Sequence, residues 1–135
     1  MIRALILCSL TTLLCSAEPI DVLMKTEWIS DKSLTMDWIL NHRRLVSDQK
    51  KYENLFGKMT IKFSKDSSET AIGGIVNWKK HKIIGQTSSQ IAMITFDELL
   101  KKDVIVTIQI DDDENGYWIY DVPTDLKEHF IPKPQ

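Results

Sequence analysis

Val104-Ile105-Val106-Thr107-Ile108-Gln109-Ile110 is the stretch whose reading decides the fold. Valine and isoleucine occupy 104, 106, 108 and 110, and Thr107 and Gln109 stand between them. A repeat of two residues sends alternate side chains to opposite faces of a strand, one toward a core and one toward water. Immediately after it, Asp111 to Gly116 reads as a hairpin loop, with Asn115-Gly116 as its positive-φ pair. Tyr117-Trp118-Ile119-Tyr120 is the return strand. If Ile119 faces inward, one aromatic pair of this segment faces outward as a contact surface.

Working upstream, the same period recurs. Ile91 to Phe96 predicts a strand, followed by a polar turn over Asp97 to Asp103. Lys82-Ile83-Ile84-Gly85-Gln86 predicts another, entered from a turn at Lys79-Lys80-His81 and left through Thr87-Ser88-Ser89. Ile72, Gly74, Val76 and Trp78 share a face of a further strand, with Gly73-Gly74 inside it as a bulge or sharp coil. Met59, Ile61 and Phe63 alternate with Thr60 and Lys62, and Asp66-Ser67-Ser68 turns the chain.

Before residue 57 the period is that of a helix. Leu34, Trp38, Asn41 and Leu45 lie on one stripe of a helix over 33–45, with Asp31 or Ser33 as its cap. Ser47 caps a second helix over Asp48 to Phe56, whose Tyr52, Leu55 and Phe56 face one core, and Gly57 ends it. Ahead of both, Glu27 to Asp31 reads as a short strand around Trp28, after a lead-in containing Ile20, Val22, Leu23 and Met24. At the other end, Pro123-Thr124 opens a short helical turn through Phe130. The expected fold is mostly β within the α+β class. It is an antiparallel barrel or strongly curved sheet of six to seven strands, with an N-terminal helix pair.

Residues 1–17 read as a cleavable signal peptide. Arg3 gives a positive start, Ala4 to Leu14 is an apolar run, and Cys15-Ser16-Ala17 sets small residues before a cleavage at Glu18. The run is short for a bilayer span. A lipoprotein signal is the competing reading, but leucine precedes both Cys8 and Cys15. The expected product is a periplasmic or secreted domain, 18–135, with no cysteine and one core held by packing.

Trp28-x-Ser30-Asp31 with Thr35, Leu55-Phe56-Gly57 opening the strands, and Tyr117-Trp118 near the end together resemble a group of small exported bacterial lipocalin-like proteins of unassigned function. The resemblance implies a lipocalin-like barrel and marks Trp28, Ser30, Asp31, Thr35, Gly57, Tyr117 and Trp118 as its structural motif. The first-strand tryptophan is also similar to the Gly-x-Trp of lipocalins proper, although Thr26 stands where that glycine would be. A cystatin-like sheet wrapped on a helix is the alternative fold.

Function classes narrow by elimination. With 17 basic and 19 acidic residues the net charge is −2, poor footing for nucleic-acid binding. Asp111, Asp113, Asn115 and Gly116 open like a calcium loop, but Ile119 and Val122 fall where later ligands belong, so an acidic hairpin tip is expected. His42, His81 and His129 are widely separated and read as solvent-facing, with no metal. No serine, histidine and carboxylate carry a local catalytic signature, and Asp97-Glu98 and Asp125 with Glu128 are ordinary acidic pairs. No cofactor is implied. What remains is a small binding module holding an apolar molecule, with Trp38, Tyr52, Phe56, Phe63 and Trp78 as the candidate lining. The alternatives are an inhibitor or partner of an envelope protein, without a pocket, and a hydrolase whose catalytic groups converge only in the fold.

Overall fold

The computed structural model describes residues 18–42, 54, 56–98 and 100–135. The signal-peptide reading of 1–17 and most of the expected helix at 48–56, Tyr52 included, lie outside the described residues. In chain order the elements are α1 (Pro19–Met24), β1 (Trp28–Ser30), α2 (Lys32–His42), β2 (Thr60–Phe63), β3 (Ser67–Ile72), β4 (Ile75–Gln86), β5 (Gln90–Asp97), β6 (Lys102–Ile110), β7 (Tyr117–Asp121) and β8 (Leu126–Pro132). Each strand pairs antiparallel with the next, and β1 pairs with β8, so eight strands close into a barrel. Closure leaves no unpaired sheet edge. Among the described residues no helix is long and apolar enough to cross a membrane.

The alternation at 104–110 sets the inside of the barrel. Val104, Val106, Ile108 and Ile110 are buried, and their register partners Met93 and Ile91 on β5 are buried beside them. Ile108 pairs with Ile119 on β7, which therefore faces inward too.

Eight strands replace the expected six to seven because two regions carry no readable alternation. The first is the β3–β4 hairpin. Gly73 and Gly74, with φ of 56° and 84°, form its turn and not a bulge within a strand. Two consecutive positive φ values are what a two-residue hairpin turn demands. Lys79-Lys80-His81 is not a turn but lies within β4, and the irregularity comes later, between Ile83 and Gly85. The second is β8, where a helical turn was expected. Its Glu128 and His129 are polar on opposite faces, so the strand shows no apolar period. The β6–β7 loop also differs in detail: its positive φ falls on Glu114, at 58°.

One end of the barrel is plugged. Ile20, Val22 and Leu23 of α1 join Trp28, Tyr117, Phe130, Ile91 and Ile108 in one buried cluster. Pro19 opens α1 where no backbone N–H is needed, and the Asp21 carboxylate accepts from Glu18 N at 3.1 Å. The Trp28 indole donates to Leu23 O at 2.8 Å, which fixes the plug to the first strand. Its ring meets Tyr117 edge-on at 5.1 Å, and Tyr117 stacks on Phe130 at 5.1 Å.

Strand β1 is only three residues long, and α2 takes over where it stops. Thr35 on α2 accepts from His129 N at 2.9 Å, a bond that a longer β1 would have made. Met36, Ile39 and Phe56 then form a second apolar cluster with Trp38 and Leu126 beside the start of β8.

Candidate functional site

Two polar arrangements meet on β8, on opposite faces of the same strand. His129 points away from the barrel interior and is only 3% exposed. Its Nδ1 lies 2.8 Å from Asp31 Oδ2 and its Nε2 lies 2.7 Å from Asp111 Oδ2. Trp118 covers the ring at 4.8 Å. The solvent-facing reading of His129 is thus corrected: two carboxylates supply the hydrogen bonds that water would have made. Both ring nitrogens are occupied and the Thr35 hydroxyl oxygen accepts from backbone, so the group ties α2, β8 and the 111–116 loop together. Gly116 is required there, because a Cβ would collide with the Asp111 carboxylate and come within 2.8 Å of His129 Nε2.

Glu128, one residue away, points inward. It lines a cavity of about 330 Å³ enclosed by the strands. Phe63, Met93, Val106 and Ile119 supply apolar wall, while Ser68, Thr70, His81 and Thr95 add polar atoms. The cavity reaches the rim opposite α1 at Phe96, Asp97, Asp121 and Leu126. Ser30 Oγ donates to Glu128 Oε2 at 3.0 Å and accepts from Gly57 N at 3.1 Å. Gly57 holds φ of 89°, a value open to glycine, as it delivers that N–H. Burial pushes the Glu128 carboxyl up to about 7, against the opposing pull of the Ser30 hydrogen bond. Beneath the cavity, burial first and the Glu128 charge second raise the Tyr117 hydroxyl well above its ordinary range. Among the described residues that hydroxyl has no hydrogen-bond partner.

His81 is on β4 and buried, where a turn was expected. Its Nε2 lies 3.1 Å from Lys65 O, and burial lowers its pKa, so the neutral ring is favoured. His42 stacks on Trp38 at 4.6 Å. Among the described residues no three metal-ligating side chains are placed to share an ion.

Of the five side chains expected to line a pocket, Phe63 is in the cavity wall. Trp38 and Phe56 belong to the α2 cluster instead. Trp78 lies opposite Glu69 on the outer surface and is 68% exposed, because the turn at 73–74 reverses the face it was assigned to. The motif residues behave differently. Ser30 and Gly57 converge on Glu128, Asp31, Thr35 and Trp118 converge on His129, and Trp28 and Tyr117 build the plug. Glu128 itself reads in sequence as one of an ordinary acidic pair with Asp125. The signal for it was the alternation of Leu126, Glu128 and Phe130, a carboxylate between two apolar residues on one strand face.

A second concavity, of about 390 Å³, lies on the outer wall and includes Gln90, Thr107, Gln109, Trp118, Tyr120 and Lys127. With Ile119 inward, Trp118 and Tyr120 form the outward aromatic pair. Much of this groove is already self-satisfied: Gln90 donates to Gln109 at 2.6 Å, and Lys127 Nζ lies 5.5 Å from the Trp118 ring centre.

No protein-family model matches the chain, and no curated protein or solved structure matches it.

Proposed function

We propose that this protein is a small exported binding module of lipocalin-like type that holds a small apolar molecule inside its barrel. The supporting observation is the interior cavity of about 330 Å³, walled by Phe63, Met93, Val106 and Ile119 and reaching one rim. Ligand sites favour such concave, mostly apolar spaces with a few placed polar groups. Export rests on the leader at 1–17, whose cleavage before Glu18 would give a mature chain without cysteine.

Native mass spectrometry of protein taken from its own source tests the reading directly, through a bound mass that unfolding releases. Saturation should also raise the melting temperature. At a ligand concentration ~100 times Kd the linkage is worth ~2.7 kcal/mol. Val106→Phe, which fills the cavity, should abolish that rise. A released mass of zero, with no rise for any apolar compound, would leave the interaction reading in front. That second reading has its own observation, the outward Trp118 and Tyr120 in the outer groove. Trp118→Ala with Tyr120→Ala should then remove a protein partner and leave the cavity unaffected.

A further inference from the structure

We propose that the molecule held in the barrel is an apolar amine whose nitrogen pairs with the carboxylate of Glu128. The inference rests on the cavity reading above and specifies the chemistry of its occupant.

The carboxylate is built into the wall and not at the surface. Ser30 on β1 engages Oε2, and among the described residues no other side chain is hydrogen-bonded to Glu128. Its remaining acceptor capacity faces the cavity that it lines. Phe63, Met93, Val106 and Ile119 give the cavity apolar wall, and among the described residues none of its polar side chains, Ser68, Thr70, His81 and Thr95, is hydrogen-bonded to Glu128, so a ligand can bring the missing donor. Lys79 lines the same cavity from β4, four strands away round the barrel in either direction. No ion pair joins the two among the described residues.

Charge count favours a cation. Three carboxyl groups, Asp97, Asp121 and Glu128, line the space against one ammonium, Lys79. His81 adds little positive charge, because burial favours its neutral form. Asp97 and Asp121 sit at the rim and already accept local bonds, from Leu100 N at 2.9 Å and from the Thr124 hydroxyl at 2.7 Å. Glu128 is the deep one. A carboxylate ligand would set like charge beside it, and an uncharged one would bring no counter-ion to offset the cost of ionising a buried carboxyl. An ammonium satisfies the charge and donates up to three hydrogen bonds, while its hydrocarbon takes the apolar wall.

Three probes with the same chain and different heads separate these cases: n-octylamine, n-octanol and octanoate, titrated calorimetrically into the full mature protein at pH 8. The amine should bind about tenfold or more tighter than the alcohol, as a charge-assisted hydrogen bond implies. Octanoate should be the weakest. In Glu128→Gln, whose fold is checked by circular dichroism, the amine should fall to within about threefold of the alcohol. Octanol equal to the amine, octanoate tightest, or an amine preference that survives Glu128→Gln would each overturn the amine assignment while leaving an apolar cavity standing. Failure of all three probes to bind would overturn both.

Discussion

The two ends of the barrel are built on opposite terms. At the α1 end, Trp28, Tyr117 and Phe130 interlock with Ile20 and Leu23, and hardly any of these side chains meets solvent. At the other end, Ile75, Phe96, Leu100 and Val122 are exposed in or beside the three hairpin turns, and the cavity reaches the rim between them. Both ends have apolar residues in supply. What differs is that α1 brings a second layer that packs into the barrel mouth, whereas at the other end, among the described residues, the apolar cluster of Met36, Ile39, Trp38 and Phe56 reaches only the start of β8, at Leu126. Burial is therefore concentrated where the barrel is filled, and the cavity lies where it is not. Glu128 lies between the two regimes, with the apolar plug on one side and the cavity on the other.

Breaking the filled end should have the largest effect. Trp28→Ala removes the ring that touches α1 and Tyr117, and should cost ~3–5 kcal/mol in chemical denaturation. A loss below ~1 kcal/mol would show that the plug does not hold the barrel.

Glu128→Gln probes the boundary and should act in the stabilising direction. The unfolded carboxyl titrates near 4.5 and the folded one at about 7. Between those values the folded state holds the extra proton, so the contribution of Glu128 to stability is complete below pH 4.5 and is lost as pH rises through about 7. The amide carries no such cost and can still accept from Ser30. At pH 8 the variant should be more stable than the parent by ~2–3 kcal/mol, and at pH 4 the difference should vanish. His81 acts with the opposite sign, since its lowered pKa destabilises the fold as pH falls. Comparing variant with parent at each pH cancels that contribution. A difference independent of pH would rule out the titration of Glu128 as its source.

Tyr117→Phe sharpens the comparison from within the plug. It keeps the ring stacked on Phe130 and removes a buried hydroxyl without a partner, so a gain of ~1 kcal/mol is expected in the same measurement. A loss of that size would mean the hydroxyl is satisfied, through a bridging water for instance.

The smallest effect belongs at the exposed hairpin. Ile75→Ser and Trp78→Ser should each change stability by less than ~0.5 kcal/mol, because neither side chain is buried. A thermal shift of several degrees would place them in contacts that the barrel alone does not provide.

Sequence legibility followed the same division. Strands β5 to β7 could be read because their inward residues are apolar and their partners adjacent. The helix over 33–45 was placed correctly in kind, and α2 occupies Lys32–His42 of it. The β3–β4 hairpin was misread because apolar residues stand on both faces of its exposed tip, so no face is marked. Strand β8 shows no apolar period because the polar Glu128 and His129 are satisfied by Ser30, Asp31 and Asp111, none of them local in sequence. The short α1 has too few residues to show a period at all. The site was legible only in pieces: Ser30, Asp31, Thr35 and Gly57 were singled out, yet the residues they serve, Glu128 and His129, were not. Local pattern cannot report a partner that is distant in sequence.

Those distant partners also bear on the order of assembly. Each hairpin from β2 to β8 joins neighbours and can form from a short piece of chain. The β1–β8 seam, with Ser30 on Glu128, Asp31 on His129 and Thr35 on His129 N, joins residues 98, 98 and 94 positions apart. Contacts of that separation carry the greatest loop-closure entropy and form late. A chain emerging from its N-terminus can pair β1 with β2, but Trp28, Ser30 and Asp31 wait for their β7 and β8 partners until those strands are available. The closed barrel, and the cavity inside it, cannot exist before β8 has been made.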